Sequence, residues 1–207
     1  MPSDVVYDAV LGTLTLKQVQ SASYSGGGNP IAGTASGNPD PDTYFGGTAE
    51  PRASFSSADI ATILGVSNIC TAGLAVAAGT VTIPFQKRAN RSTFAGGSSN
   101  NTLSAANGLL VPNTFSVSQD DDAAMCSLDF IFNSTDGTTN PVTINASQAL
   151  SAQSFTALFG LGPIVVNGTT LDEALGFTVN TGIQTITERH NGGLYPTKIY
   201  IVSRRPF

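Results

Sequence analysis

The sequence predicts a mainly β protein: a β-sandwich or rolled β-barrel with two short covering helices and long Gly/Pro-rich loops. Three observations carry this expectation. Strand-like runs are short, rich in alternating or β-branched apolar residues, and separated by turn signals. Only two segments place apolar residues at helical spacing, and both are brief. At 207 residues the chain can bury a real core without disulfide or metal staples, and it reads as one β-rich structural domain over 1–207.

Residues 5–19 read as a strand, with Leu11, Thr13 and Thr15 alternating against Gly12, Leu14 and Leu16. Residues 21–47 hold Gly26-Gly27-Gly28, Asn29-Pro30, Gly37-Asn38-Pro39 and Asp40-Pro41, so they read as a long loop or assembly arm. Residues 51–56 return to extended chain, with Ala53 and Phe55 on one face. A short helix follows. Ser57 is its expected cap, Asp59 lies in its first turn, Ile60, Ile63 and Leu64 form its buried face, and Gly65 is a left-handed stop. Residues 79–85 are the next strand.

A similar order recurs roughly ninety residues on, which marks 51–88 and 140–187 as a candidate internal repeat. Pro141-Val142-Thr143-Ile144 reads as a strand, 151–160 as a second capped helix ending in Gly160, and 177–187 as a strand-like run. Of the remaining strands, 115–118 leads into the acidic turn Asp120-Asp121-Asp122, and 127–132 is nearly continuous in apolar residues. Asp136-Gly137 and Asn167-Gly168 are hairpin-type turn signals, the second following Ile164-Val165-Val166. Residues 198–203 close the chain as a strand, and Pro206 prevents further regular pairing.

Composition narrows the function. Charged residues make up 11%, against a usual share of roughly a quarter. An apolar content of 41% and a mean hydropathy of +0.10 still place the chain among folded proteins. Nine Lys and Arg against 14 Asp and Glu give a net charge of -5 and a pI near 4.6, which argues against a domain that grips nucleic-acid phosphates by a basic field. One His and two Cys exclude a Cys/His zinc cage. The first twenty residues include Asp4, Asp8 and Lys17 and show no signal-peptide pattern. The longest apolar run, 74–78, is far short of the roughly twenty residues of a membrane span. Cys70 and Cys126 read as buried, reduced and structural. Five glycosylation-type triplets begin at Asn90, Asn100, Asn133, Asn145 and Asn167, as chance provides in a chain rich in Asn, Ser and Thr.

No catalytic, cofactor-binding or metal-binding residue is assigned, no cofactor is implied, and the chain is not expected to be an enzyme. His190 lies in Glu188-Arg189-His190-Asn191-Gly192-Gly193, an exposed turn, and no Gly-x-Ser-x-Gly elbow accompanies it. Asp120, Asp121 and Asp122 alternate in direction along extended chain, so they read as a solvated turn rather than a cation site, and Asp40 and Asp42 read alike. Among 14 acids no glycosidase pair stands out. The basic clusters Lys87-Arg88 with Arg91, and Arg204-Arg205, lack a stacking pattern among Phe85, Phe94 and Phe207, and read as rim charges facing a neighbour. Gly96-Gly97 lacks the Lys-Ser/Thr of a phosphate loop.

What remains is assembly. Few Lys and Glu are available to blunt sheet edges, whereas a closed ring covers each edge with the next subunit. The chain also orders Pro51-Arg52-Ala53-Ser54-Phe55, the capped helix from Ser57 to Gly65, and Val81-Thr82-Ile83-Pro84-Phe85-Gln86-Lys87-Arg88. Asn107-Gly108-Leu109-Leu110-Val111-Pro112 and Gly192-Gly193-Leu194-Tyr195-Pro196-Thr197 complete the series before the last strand. Over roughly residues 50–207 this order resembles virion structural proteins of tailed bacteriophages, tail-tube proteins in particular.

The resemblance implies hexameric rings whose inner strands join into a barrel and whose loops or terminal arms hook stacked rings. It implies a lumen that passes DNA without gripping it, localisation in the virion after synthesis in the host cytoplasm, and no membrane partner. Its partners would be copies of itself and other tail or connector proteins. On that basis 21–47 would be the inter-ring arm, and the hairpins around Asp120–Asp122 or Asp136 would line the channel. Two other classes stay open: another virion part, such as a capsid decoration or head–tail connector protein, and a carbohydrate-binding receptor-recognition β-sandwich. The last would need an aromatic platform, for which Tyr24, Tyr44 and Phe45 are the candidates in a chain without Trp.

Overall fold

The computed structural model describes residues 5–6, 8–28, 31–33, 43–45, 47–76, 81–87, 89, 97–105, 107–120, 123–150, 157–171 and 173–203, with backbone alone at 5–6, 31–33, 43–45 and 203. The run 5–19 is three strands rather than one: β1 (Val5–Val6), β2 (Ala9–Leu11) and β3 (Leu14–Leu16). Gly12 divides them. It has φ +71° at the first position of a two-residue turn between the paired Leu11 and Leu14, the type II′ pattern that suits strand twist. Gln18, with φ +50°, then leads the chain into β4 (Val19–Ser25), in a different sheet.

The expectation of a loop throughout 21–47 is overturned in part. Residues up to Ser25 belong to β4, and β5 (Ile31–Gly33) pairs antiparallel with β6 (Thr43–Phe45). Gly and Pro exclude a helix or a central strand here, but β4 sits at a sheet edge and these two strands form a separate small ribbon. Residues 29–30, 34–42 and 46 lie outside the described residues.

β7 (Arg52–Ser57) leads into α1 (Ile60–Leu64), where the cap is Asp59 and not Ser57. Asp59 is fully buried, and its carboxylate accepts the Thr62 N–H at 3.3 Å and the Lys17 N–H at 3.1 Å. The Ser57 hydroxyl accepts the Asp59 N–H at 3.0 Å and donates to the Lys17 carbonyl at 2.8 Å. The helix start is thereby tied to the corner between β3 and β4. Gly65 ends α1 in the right-handed region, with φ -67°, so the left-handed stop is corrected; its N–H bonds back to the Ala61 and Ile63 carbonyls. Ile63 is buried, whereas Leu64 is 55% exposed. The second helix, α2 (Ile69–Ala72), follows at once. Of the helix expected over 151–160, residues 151–156 lie outside the described residues and 157–160 have no regular structure.

The remaining strands are β8 (Leu74–Val76), β9 (Val81–Gln86), β10 (Asn100–Ala105), β11 (Asn107–Ser118), β12 (Met125–Asn133), β13 (Val142–Gln148), β14 (Ile164–Val166), β15 (Thr169–Leu171), β16 (Gly176–Asn180), β17 (Gln184–Glu188) and β18 (Lys198–Ser203). Two six-stranded antiparallel sheets enclose the core. One runs β13-β10-β9-β2-β3 with β1 also on β9, and the other runs β16-β11-β12-β7-β4 with β8 also on β11. β14–β15 and β17–β18 are two-stranded ribbons outside both.

Period-2 alternation fills the space between the sheets. β12 sends Cys126, Leu128, Phe130 and Phe132 inward to meet Leu11, Leu16, Ile83 and Leu103 of the opposite sheet. Phe130 and Phe132 meet edge-on at 4.8 Å between centroids, and Tyr24 adds a second edge contact on Phe132 at 6.1 Å. Gly108 lies directly beneath the Phe130 ring, where a Cβ would come within 2.2 Å of it.

Asp136-Gly137 is not a hairpin turn: it lies on the crossing from β12 in one sheet to β13 in the other. The Asp136 carboxylate accepts the backbone N–H groups of Thr138 and Thr139 and the hydroxyls of Thr139 and Ser134, which hold its carboxyl well below the usual carboxylate range. Asn167-Gly168 does turn a hairpin. Its φ values of +48° and +80° between the paired Val166 and Thr169 are the type I′ geometry.

Candidate assembly surface

The feature that sets this molecule apart lies after residue 142. The last buried apolar side chain of the core, among the described residues, is Val142. Among the described residues, every exposed large apolar side chain except Leu64 lies between Ile144 and Val202. The sequence here is as strand-like as in the sandwich, but each strand has at most one layer to pack on.

Pro112 governs how the first of these strands is mounted. Lacking an N–H, it interrupts the ladder along β11, and the β11–β12 register shifts between Pro112 and Thr114. One edge of β11 is therefore shared: β8 takes residues 108–110, and β16 takes residues 114–118. β16 is clamped at both ends. Thr181 donates its N–H to the Asn113 carbonyl at 3.0 Å and its hydroxyl to the Pro112 carbonyl, while the Gln119 N–H donates to the Leu175 carbonyl at 2.8 Å. The strand is thus held firmly; among the described residues no strand pairs with its far edge, and Phe177 and Val179 are exposed by 49% and 38%.

The β17–β18 ribbon is mounted differently. Its inward row includes Ile199, which shares a shallow cavity with Leu109 on the outer face of β11. Its outward row is Ile186, Tyr200 and Val202, each about half exposed. Backbone bonds anchor the adjoining loop: the Ala49 N–H to the Leu194 carbonyl at 2.8 Å, the Leu194 N–H to the Gly137 carbonyl at 2.8 Å and the Ser134 N–H to the Pro196 carbonyl at 2.7 Å.

Glu50 adds an electrostatic tie. One carboxylate oxygen accepts from the Arg52 guanidinium, and the other accepts the Thr187 hydroxyl at 2.9 Å and an Arg189 N–H at 3.4 Å. Burial pushes the Glu50 carboxyl up, but the bonds from Arg52 and Thr187 and the charges of Arg52 and Arg189 outweigh it and leave the carboxyl below its ordinary value.

Residues singled out in the sequence are scattered. His190 is exposed in the loop between β17 and β18, and its carbonyl accepts the Gly193 N–H at 2.8 Å. Asp120 is exposed, Lys87 is exposed, and Asp40, Asp42, Asp121, Asp122, Arg88, Arg91, Arg204 and Arg205 lie outside the described residues. Tyr24 is half-buried against the core, while the side chains of Tyr44 and Phe45 lie outside the described residues. Cys126 is a fully buried free thiol that burial, and secondarily Cys70, pushes up to about 12; Cys70 is free and half-buried. Among the described residues no group of three or more His, Cys, Asp or Glu could hold a metal ion, and no helix is long and apolar enough to cross a membrane. No protein-family model matches the chain, and no curated protein is significantly similar in sequence.

Sequence reasoning placed 164–166 and 198–203 as strands and 177–187 as one strand-like run, which the structure divides into β16 and β17 in different sheets with residues 181–183 between them; it missed that large apolar side chains of these strands stay exposed. The available signal was quantity: more strands than two facing sheets can cover.

Proposed function

We propose that the chain is a structural subunit of a phage virion, a tail-tube protein that assembles into stacked rings around a DNA-conducting channel. The observation that carries the assembly reading is the concentration of exposed large apolar side chains between Ile144 and Val202. Such side chains, set on short strands with open edges, are what a neighbouring copy covers in a ring. The tail-tube assignment rests on the order of residues resembling that family, together with an acidic pI near 4.6 that suits a lumen which lets DNA slide. Its partners would be copies of itself and adjoining tail or connector proteins. Tyr24, a candidate for a sugar platform, packs on Phe132, which weighs against the carbohydrate-binding alternative.

The test is light scattering of the full chain across a concentration series, followed by negative-stain electron microscopy. Rings or tubes with an axial channel are expected. Discrete plugs or caps without tubes would move the chain to a decoration or connector role, and a monomer at every concentration would remove the assembly reading.

A further inference from the structure

The chain has two cysteines, 56 residues apart in sequence, and the fold brings both to one groove. The groove, of about 280 Å³, is lined by Ile60 and Leu64 of α1, Cys70 of α2, Phe115 of β11, Ala124 and Phe177 of β16, among others, and no charged side chain lines it. Phe115 pairs directly with Cys126 across the β11–β12 ladder, so their side chains share one face of the sheet with Cβ atoms about 4.5–5.5 Å apart. Ala124, another wall residue, precedes Cys126 by two positions. Cys126 is therefore the fully buried residue beneath the groove, while Cys70 is half-buried in its wall and packs on the same core cluster. Cys70 also contributes to the rise of the Cys126 thiol, an influence that falls off with distance.

The element that carries Cys70 leaves its side chain free to turn. α2 is a single turn between Asn68 and Gly73, with φ +59° and +64°, and no side chain caps its start. Cys70 belongs to no strand, so rotating its side chain towards β12 breaks no ladder bond. The Cys126 thiol donates only a weak bond, to the Ser127 carbonyl at 3.6 Å.

We infer that Cys70 and Cys126 are a redox pair, which a small disulfide entering the groove converts into an intrachain bond between α2 and β12. The Cys70 thiolate attacks one sulfur of the small disulfide and expels its first thiol. Cys126 then gives up its proton and attacks the Cys70 sulfur of the mixed disulfide, expelling the second. The protein thiols lose two electrons and two protons, and the small disulfide gains both as two thiols. Burial keeps Cys126 protonated, so the second step is the slow one. The new bond pins α2 to the sheet and closes a loop of roughly 55 residues, which constrains the unfolded chain. The inference is independent of the assembly reading.

The test incubates the reduced full chain with bis(2-hydroxyethyl) disulfide, a small neutral reagent suited to an uncharged groove. Intact mass, thiol counting in denaturant and non-reducing peptide mapping follow the products. A transient mercaptoethanol adduct is expected at Cys70, then a monomer two hydrogens lighter with Cys70 linked to Cys126. Its thermal midpoint should rise by about 5–15 °C and return on adding dithiothreitol. Cys126→Ala should stop at the adduct, and the buried thiol of Cys70→Ala should stay unreacted in the folded chain.

The wild-type readouts stand even where a variant folds poorly. A wild-type chain that stops at the mixed disulfide, chains linked to one another through Cys70, or thiols that react only in urea each overturn the pair. Equally fast reaction of Cys126 in folded Cys70→Ala overturns Cys70 as the entry point and the inference with it.

Discussion

In the double sheet, β12 fully buries the inward-facing Leu128, Phe130 and Phe132; in β16, only one strand away across β11, Phe177 and Val179 remain 49% and 38% exposed. Both strands are apolar and antiparallel. They differ in what faces them: β12 is roofed by the sheet containing β9 and β10, whereas β16 extends past that roof beside α1 and α2. The same burial tendency that builds a core where two layers meet therefore leaves apolar side chains exposed where one layer ends. The β12 side chains hold the fold together, whereas Phe177 and Val179 add little burial to it.

The largest effect that would break this contrast is in the core. Phe130→Ala should cost about 3–5 kcal/mol in urea unfolding of the monomer, whereas Phe177→Ala should cost well under 1 kcal/mol. Similar losses for both would mean that β16 is part of the folding core. Gly108→Ala should come next, at about 3 kcal/mol, because its Cβ would strike both the Phe130 ring at 2.2 Å and the Ile131 carbonyl at 2.6 Å; thermal unfolding measures it, and an unchanged midpoint would show that the ring can move aside.

Asp59→Ala removes the α1 cap and leaves the Lys17 N–H unpaired, for an expected loss of about 2 kcal/mol. Hydrogen exchange should then rise at Lys17 and Thr62 before it rises in β12. The smallest effect sharpens the contrast at the other end of the molecule. Glu50→Gln should loosen β17–β18 by about 1 kcal/mol or less, since Glu50 is partly solvent-screened, and should leave the sandwich amides protected.

Acid should act in the same way. The Glu50 carboxyl is lower in the folded chain than in the unfolded one, so its contribution is complete above the ordinary carboxylate range and is lost as pH falls through its lowered value. Amides of β17 and β18 should exchange faster in that window in wild type. In Glu50→Gln that acceleration should disappear; if it persists, another group holds the ribbon.

Much of the strand content was legible because it is local. β14 coincides with the β-branched run Ile164–Val166, β18 spans the run 199–202 with one residue on either side, and Asn167-Gly168 turns its hairpin because the two residues accept positive φ. The errors occur where a neighbour decides. Gly12 in residues 5–19 reads as one alternating residue until the pairing of Leu11 with Leu14 makes it a turn. Ser57 and Asp59 are equally good caps in sequence, and the Lys17 backbone at the β3–β4 corner selects Asp59. Asp136-Gly137 carries a hairpin signal, yet its strands lie in opposite sheets, a choice made by packing. The exposure of Val166, Phe177 and Tyr200 was not legible, because period-2 alternation marks which residues share a face and is silent on whether another layer covers it.

The sequence by itself determined the class: short strands, turns at Gly and Asn-Gly, little helix, and too few charges or chemistry-bearing residues to mark a site. Each of these follows from backbone sterics and side-chain type within a few residues. Only the tertiary structure decided which apolar faces are buried. Burial is a property of the finished stack of layers, and the two sheets run out of facing surface at Val142.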